Sequence, residues 1–364
     1  MKNLIRCLEK LTRRVLLLMC GLLVIAAGRS WAIDYHIRDL GTLGGSVSWA
    51  NEISDSGHVV GASYYATGNY DYHAFLWVEG QPMEDLGTLG GALSKATGVN
   101  SSGQVVGWSM TNNGSRAFLW QNGSAMQDLG TLGGLSSWAG DINESGQVVG
   151  QANDVDNHGR AFLWQDGLTM QNLGSFGATS INDNDLVVGG TINMAGEEHA
   201  FVWQAGSVQP LSTLGGNYNY ANEVNNSGQI VGYSTLVGNT RWRATLWQEG
   251  FPVQDLGTLG GSSSRAWGIN NVGQVVGSST PASGSTHAFL WQSGSPMQDL
   301  GTLGGLRSYA YAINNFGLIV GSAEDVSGSQ HAVLWEPIIP EPSSLLALAG
   351  GVAGMAGLAL RRRR

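Results

Sequence analysis

"LGTLGGLSSWAGDINESGQVVGQANDVDNHGRAFLWQDGLTMQN", residues 129–172, reads as short strands joined by turns. "WAGDIN" is a first strand, "ESG" a turn and "QVVGQ" a second strand. A polar loop leads into "RAFLWQ", "DG" turns the chain, and "MQNLG" runs on as a fourth strand. Asn-x-x-Gly between apolar, β-branched runs is hairpin chemistry, because the glycine takes positive φ without a steric cost. "AFLW" has no polar face, so that strand is covered on both sides. Between the termini no stretch sustains a 3.6-residue period carried by helix formers.

The same unit recurs. "DLGTLGG" stands at 39–45, 85–91, 128–134, 255–261 and 299–305, with decayed copies "NLGSFGA" at 172–178 and "LSTLGG" at 211–216. Trp77, Trp120, Trp164, Trp203, Trp247, Trp291 and Trp335 follow at spacings of 43, 44, 39, 44, 44 and 44 residues. Between them lie "GHVVG", "GQVVG", "GQVVG", "DLVVG", "GQIVG", "GQVVG" and "GLIVG". Four antiparallel strands in about 44 residues is the size of a β-propeller blade, and seven units make one architecture. The array is also offset. The last unit stops at "HAVLWEP" without a fourth strand, while a spare one, "YHIRDLG", precedes the first unit at 35–41. The expectation is an all-β, seven-bladed propeller of four-stranded antiparallel blades over 33–338, closed by its N-terminal strand. A β-solenoid is the alternative, but it needs polar caps and gives no reason for that offset.

The glycine phrase is read as scaffold, bending the chain from the rim of one blade to the axis of the next. Neither G-x-G-x-x-G nor G-x-x-x-x-G-K-[ST] is present, so it is no phosphate cradle. A basic side chain precedes each "A-F-L-W"-like run: His73, Arg116, Arg160, His199, Arg243, His287 and His331. A guanidinium stays protonated and does not ligate metals, so a column that mixes Arg with His is a hydrogen-bonding column. Its expected acceptors are Asp39, Asp85, Asp128, Asn172, Asp255 and Asp299, or nearby carbonyls.

The termini carry sorting signals. Residues 1–32 open with Lys2, Arg6, Lys10, Arg13 and Arg14, continue through an apolar run, and end in "SWA"; this is the layout of a secretory signal peptide. Cys7 and Cys20, the only cysteines, fall inside it, so neither disulfides nor thiolate metal sites are expected in the exported part. At the other end, "PEP" (Pro340, Glu341, Pro342; linker 339–342) precedes an apolar segment at 343–360. Arg361, Arg362, Arg363 and Arg364 close the chain. Eighteen helical residues reach about 27 Å, enough to cross a hydrocarbon core, with the arginines held in the cytoplasm. This tail resembles the PEP-CTERM sorting signal of Gram-negative bacteria, which implies processing by an exosortase. Until then, the segment ties the chain to the membrane. The chain has 18 Lys+Arg and 27 Asp+Glu; residues 33–342 keep 8 and 26 of them, a net charge of −18. Such a surface repels nucleic acid and anionic lipid.

Taken together, "DLGTLGG", "IN-x-x-G-Q-V-V-G" and "HAFLW" resemble the HAF family of extracellular repeats, over about 33–336. The tripeptide of that name stands at His73-Ala74-Phe75 and His287-Ala288-Phe289. The resemblance implies export and surface display, and no catalytic residues. Function is then sought in what varies on the constant frame. The residue before the recurrent alanine is Trp49, Lys95, Trp138, Tyr220, Arg265 or Tyr309, with the fourth repeat lacking it. Aromatic and cationic side chains near one mouth of a ring suit a non-catalytic binding or matrix module for extracellular polysaccharide, with no cofactor. The alternative is a glycan-cleaving enzyme, because Glu52, Asp141 and Glu223 share one column two residues after that alanine. "NDVDNHG" at 153–159 partly echoes a calcium loop but lacks its distal Glu.

Overall fold

In the computed structural model, which describes residues 33–65, 71–121, 123–192 and 196–338, seven four-stranded antiparallel sheets form the blades of a propeller. The innermost strands are Ser48–Ile53, Ser94–Val99, Gly133–Ile142, Gly177–Ile181, Gly215–Val224, Gly260–Ile269 and Gly304–Ile313, for blades 1 to 7. The expected signal peptide at 1–32, Pro340–Pro342, the segment at 343–360 and Arg361–Arg364 lie outside the described residues. Among those described, no helix is long and apolar enough to cross a membrane. The ring occupies Ile37–Glu336; among the described residues outside it, the Ile338 N–H donates to the Asp34 carbonyl at 2.8 Å.

Closure follows the expected strand exchange. Blade 7 takes its first three strands from Gly304–Ile313, Ile319–Asp325 and Gln330–Pro337, and its outer strand is Tyr35–Asp39. The Leu40 N–H donates to Ala332 O at 2.9 Å, and the Ala332 N–H donates to Ser48 Oγ at 2.8 Å. A solenoid has no such pairing of first strand with last.

Each third strand is apolar on both faces because neighbouring blades cover both. Phe75 and Trp77 pack with Ala312, Val320 and Leu334 of blade 7, whereas Ala74 and Leu76 pack with Val99, Val105 and Phe118 of blade 2. The period-2 alternation of a strand thus feeds two separate cores.

The hairpin residue Asn of "IN-x-x-G" does more than turn. In blade 6, Asn270 Oδ1 accepts the Gln274 N–H at 2.9 Å, closing its own hairpin, while its Nδ2 donates to Asn314 O of blade 7 at 3.1 Å. Asn100, Asn143, Asn182, Asn225 and Asn314 repeat that step onto the carbonyl of the next blade, the last reaching Ser54 O of blade 1. Ser54 replaces Asn in blade 1, and there Ser56 Oγ reaches Ser101 O instead, at 2.9 Å. The turn glycine has positive φ as expected (Gly146, 77°); in blade 4, Asp185 takes the same conformation at 61°.

The glycine phrase is scaffold. Asp39 Oδ1 accepts the Gly41 N–H, Thr42 Oγ1 donates to Gly45 O, and Ser48 Oγ donates to Gly41 O, at 2.8, 2.9 and 2.6 Å. The basic column pairs with the expected carboxylates in five blades: His73–Asp85, Arg116–Asp128, Arg243–Asp255, His287–Asp299 and His331–Asp39. Two pairings differ. Arg160 turns to Asp154, at 2.7 Å, because Asn172 offers no carboxylate; His199 lies 3.7 Å from Glu197, because Pro210 stands where the outer-strand aspartate would be.

A candidate ligand cavity among the inner strands

All seven inner strands carry a β-bulge just after the recurrent alanine. In blade 1, Ala50 pairs with Gly61 and Glu52 with Val60, leaving Asn51 as the extra residue. The bulge brings the Trp49 carbonyl so close to the facing strand that a Cβ at Gly61 would lie 2.0 Å from it. The glycine of every "VVG" landmark answers that constraint. A bulge also re-aims side chains, and here it builds a cavity. The seven extra residues, Asn51, Thr97, Gly140, Thr179, Asn222, Trp267 and Tyr311, all line one space of about 680 Å³.

The six residues proposed from the sequence divide. Trp49, Lys95 and Tyr220 line the cavity; Trp138, Arg265 and Tyr309 are not among its lining residues. Arg265 is stacked over Tyr233 and Trp242, at 4.9 and 5.2 Å, and Tyr309 lies flat on Tyr311 at 6.3 Å. None of the six sits in a loop. All are half-buried residues of inner strands, and Trp49 packs edge-on against Tyr72 (5.4 Å) and Tyr64 (6.1 Å). Strand pairing carries these side chains inward.

Glu52, Asp141 and Glu223 all face the cavity, along with Ser180. Each is walled in by protein yet partly accessible through the opening. Burial pushes the Asp141 carboxyl up to about 6, against the pull of the Ile142 N–H (2.7 Å), the Ser180 hydroxyl (2.9 Å) and the Ile181 N–H (3.0 Å). Burial, and then the neighbouring acids, push Glu52 and Glu223 well above the carboxylate range. Glu52 accepts the Ile53 N–H at 2.9 Å; among the described residues no donor reaches the Glu223 carboxylate. Burial pushes the Lys95 ammonium the other way, down.

The extra residues were missed by sequence reading, although they form a column directly after the recurrent alanine. Four of them also clasp blades together: Asn51 and Asn222 donate to Ala96 O and Ala266 O at 2.7 Å, and Thr97 and Thr179 to Ala139 O and Ala221 O at 3.0 and 2.9 Å. Trp267 and Tyr311, 6.2 Å apart edge to face, bring rings to the same wall.

In the calcium-like loop, Asp154, Asp156 and His158 have ligand atoms within 4.8 Å of one another. Asp154 is already engaged by Arg160 and then by the His158 and Asp156 N–H groups, which hold its carboxyl below the usual range.

No family model matches the chain, and no curated protein matches it in sequence. Solved structures match in fold. The β-propeller domain of the Trilobed protease from Pyrococcus furiosus aligns with a TM-score of 0.55 at 11% identity, over 80% of this chain and 96% of that one. The BP39L lectin from Burkholderia pseudomallei aligns at 0.51 and 9%, over 82% and 99%. The acylaminoacyl peptidase of Pyrococcus horikoshii gives 0.51 and 10%, over 79% of this chain and 51% of its own. At such identities the likeness is one of fold.

Proposed function

We propose that this protein is an exported binding module that holds extracellular polysaccharide in the cavity among its inner strands. The observation that carries this reading is the composition of the cavity wall. Trp49, Tyr220, Trp267 and Tyr311 supply aromatic rings, while Asn51, Glu52, Asp141, Asn222, Glu223 and Lys95 supply polar groups beside them. Ring faces suit the apolar faces of pyranoses, and the polar groups match hydroxyls. A volume of about 680 Å³ lies within the roughly 300–1,000 Å³ of ligand pockets. Export, PEP-CTERM-type processing by an exosortase and display at the surface of a Gram-negative cell complete the proposal. They rest on the terminal segments and the −18 charge of residues 33–342. The test is calorimetric titration of the full chain, in detergent, with neutral and charged oligosaccharides. Saturable binding weakened by Trp49→Ala supports it; no binding to any of a broad panel of neutral and charged oligosaccharides sinks it.

A second reading has one observation in its favour. Glu52, Asp141 and Glu223 face a single cavity with their proton affinities raised, as a general acid in glycoside cleavage requires. Product analysis decides it. Turnover of an oligosaccharide that disappears in Glu52→Gln or Glu223→Gln marks an enzyme, and binding without turnover leaves the non-catalytic reading in place.

A further inference from the structure

Glu52, Asp141 and Glu223 reach the cavity from blades 1, 3 and 5, and each ionised carboxylate makes the next harder to ionise. Lys95 is the one basic side chain in the lining, so the wall can carry three negative charges against one positive. The Glu223 carboxylate lines the cavity, takes no donor from the described residues and is left to whatever fills the space in front of it. The site is therefore short of positive charge, and Glu223 is short of a donor.

A bare divalent ion does not fit this deficit. Calcium gathers six to eight oxygens at roughly 2.3–2.6 Å, which forces its ligand atoms close together. Among the described residues, the set of three acidic or imidazole side chains with ligand atoms within 4.8 Å of one another is Asp154, Asp156 and His158; the three cavity carboxylates do not converge in that way. Acids spread around a cavity that aromatic residues also line suit an organic cation that presents several donors. Trp49, Tyr220, Trp267 and Tyr311 add the attraction of aromatic faces for an ammonium group.

Resting on the saccharide reading above, we infer that the cavity selects sugars bearing a free, protonated amino group: oligomers of a deacetylated hexosamine. The ammonium meets Glu223 and Glu52, and the pyranose rings lie against the aromatic faces. Titratable groups facing the cavity are Glu52, Asp141, Glu223, Lys95, Tyr220 and Tyr311, with Asp183 acting on Asp141 from nearby. A bound cation favours the ionised carboxylates, so binding expels protons.

The experiment titrates the full chain, in detergent at pH 6, with a trisaccharide of glucosamine and with its N-acetylated counterpart, in two buffers of different ionisation enthalpy. The amine-bearing trisaccharide is expected to bind about tenfold tighter or better, to release protons, and to weaken with salt. The double variant Glu52→Gln/Glu223→Gln, checked by circular dichroism, should bind both trisaccharides alike. Equal affinity in the native protein, or preference for the acetylated form, overturns amine selection and leaves the saccharide reading standing. If neither trisaccharide nor any neutral or charged oligosaccharide binds, the saccharide reading itself falls, and this inference with it. Tight calcium binding lost in the double variant, without discrimination between the sugars, overturns it in favour of a metal. Should the variant unfold, proton release by the native protein decides alone, and its absence overturns the inference.

Discussion

His331 and Asp39 are 292 residues apart in sequence and 2.7 Å apart in the ring, imidazole Nδ1 to carboxylate Oδ2. The carboxylate only accepts, so Nδ1 carries the hydrogen. His73–Asp85 and His287–Asp299 make the same contact across 12 residues. A bond that is local elsewhere becomes, in blade 7, the clasp that joins the two ends of the array.

Deleting residues 33–42 should open that clasp. Burial of Leu40 alone contributes about 2 kcal/mol, and the exposed edge of Gln330–Pro337 offers unpaired backbone to other chains. Thermal melting should shift down, and size-exclusion chromatography should show oligomers. A truncated chain that stays monomeric with native melting would falsify closure as a source of stability.

The asparagine ring predicts an asymmetric pair of effects. Asn270→Ala leaves Asn314 O and the Gln274 N–H without their side-chain partner, at a cost of about 2–3 kcal/mol in urea unfolding. Ser54→Asn supplies the missing donor toward Asn100 and should raise the unfolding free energy by up to about 1 kcal/mol. A loss of stability on Ser54→Asn would mean that the Ser56–Ser101 contact is the better joint at that step.

Trp49 and Trp138 occupy the same repeat position, yet Trp49 lines the cavity and Trp138 does not. Trp49→Ala should lower saccharide affinity about tenfold or more. It should also cost about 1–3 kcal/mol of stability through its contacts with Tyr64 and Tyr72. Trp138→Ala should leave affinity unchanged. Equal losses in the two variants would move the binding surface to the outer face of the column.

The cavity acids fix the sign of one pH dependence. Asp141 titrates at about 6 in the folded chain and near 3.9 when unfolded, so the native state holds its proton more tightly. Its contribution is complete below about pH 4 and is lost as pH rises through about 6. Glu52 and Glu223, both raised, act in the same direction. Asp154 and Asp325, held low by their hydrogen bonds, act oppositely but only below the usual aspartate range. The urea midpoint should therefore be higher at pH 5 than at pH 8, and Glu223→Gln should flatten the difference. A midpoint that rises between pH 5 and pH 8 contradicts the raised acids.

Blade number, strand order and closure were legible in the chain because each depends on local pattern. The 44-residue period, the two-sided apolar "AFLW" and the displaced strand at 35–41 state them without reference to anything distant. The pairing of His or Arg with Asp was legible for the same reason, and it failed at Arg160 and His199, where the outer strand lacks its acid. The cavity was only half legible. Glu52, Asp141 and Glu223 could be put in one column, but a column in sequence has no direction in space. The bulge after the alanine gives it one: two residues of the inner strand face one of its neighbour, so Asn51 and Glu52 both line the cavity instead of alternating away from each other. Bulges are properties of two strands in register, and the glycine opposite, Gly61, is their one trace in the repeat. Nor could one position in seven copies reveal which copies share a space. Trp49, Lys95 and Tyr220 reach the cavity while Arg265 is held by Tyr233 and Trp242, because the neighbours that decide it come from other strands and other blades.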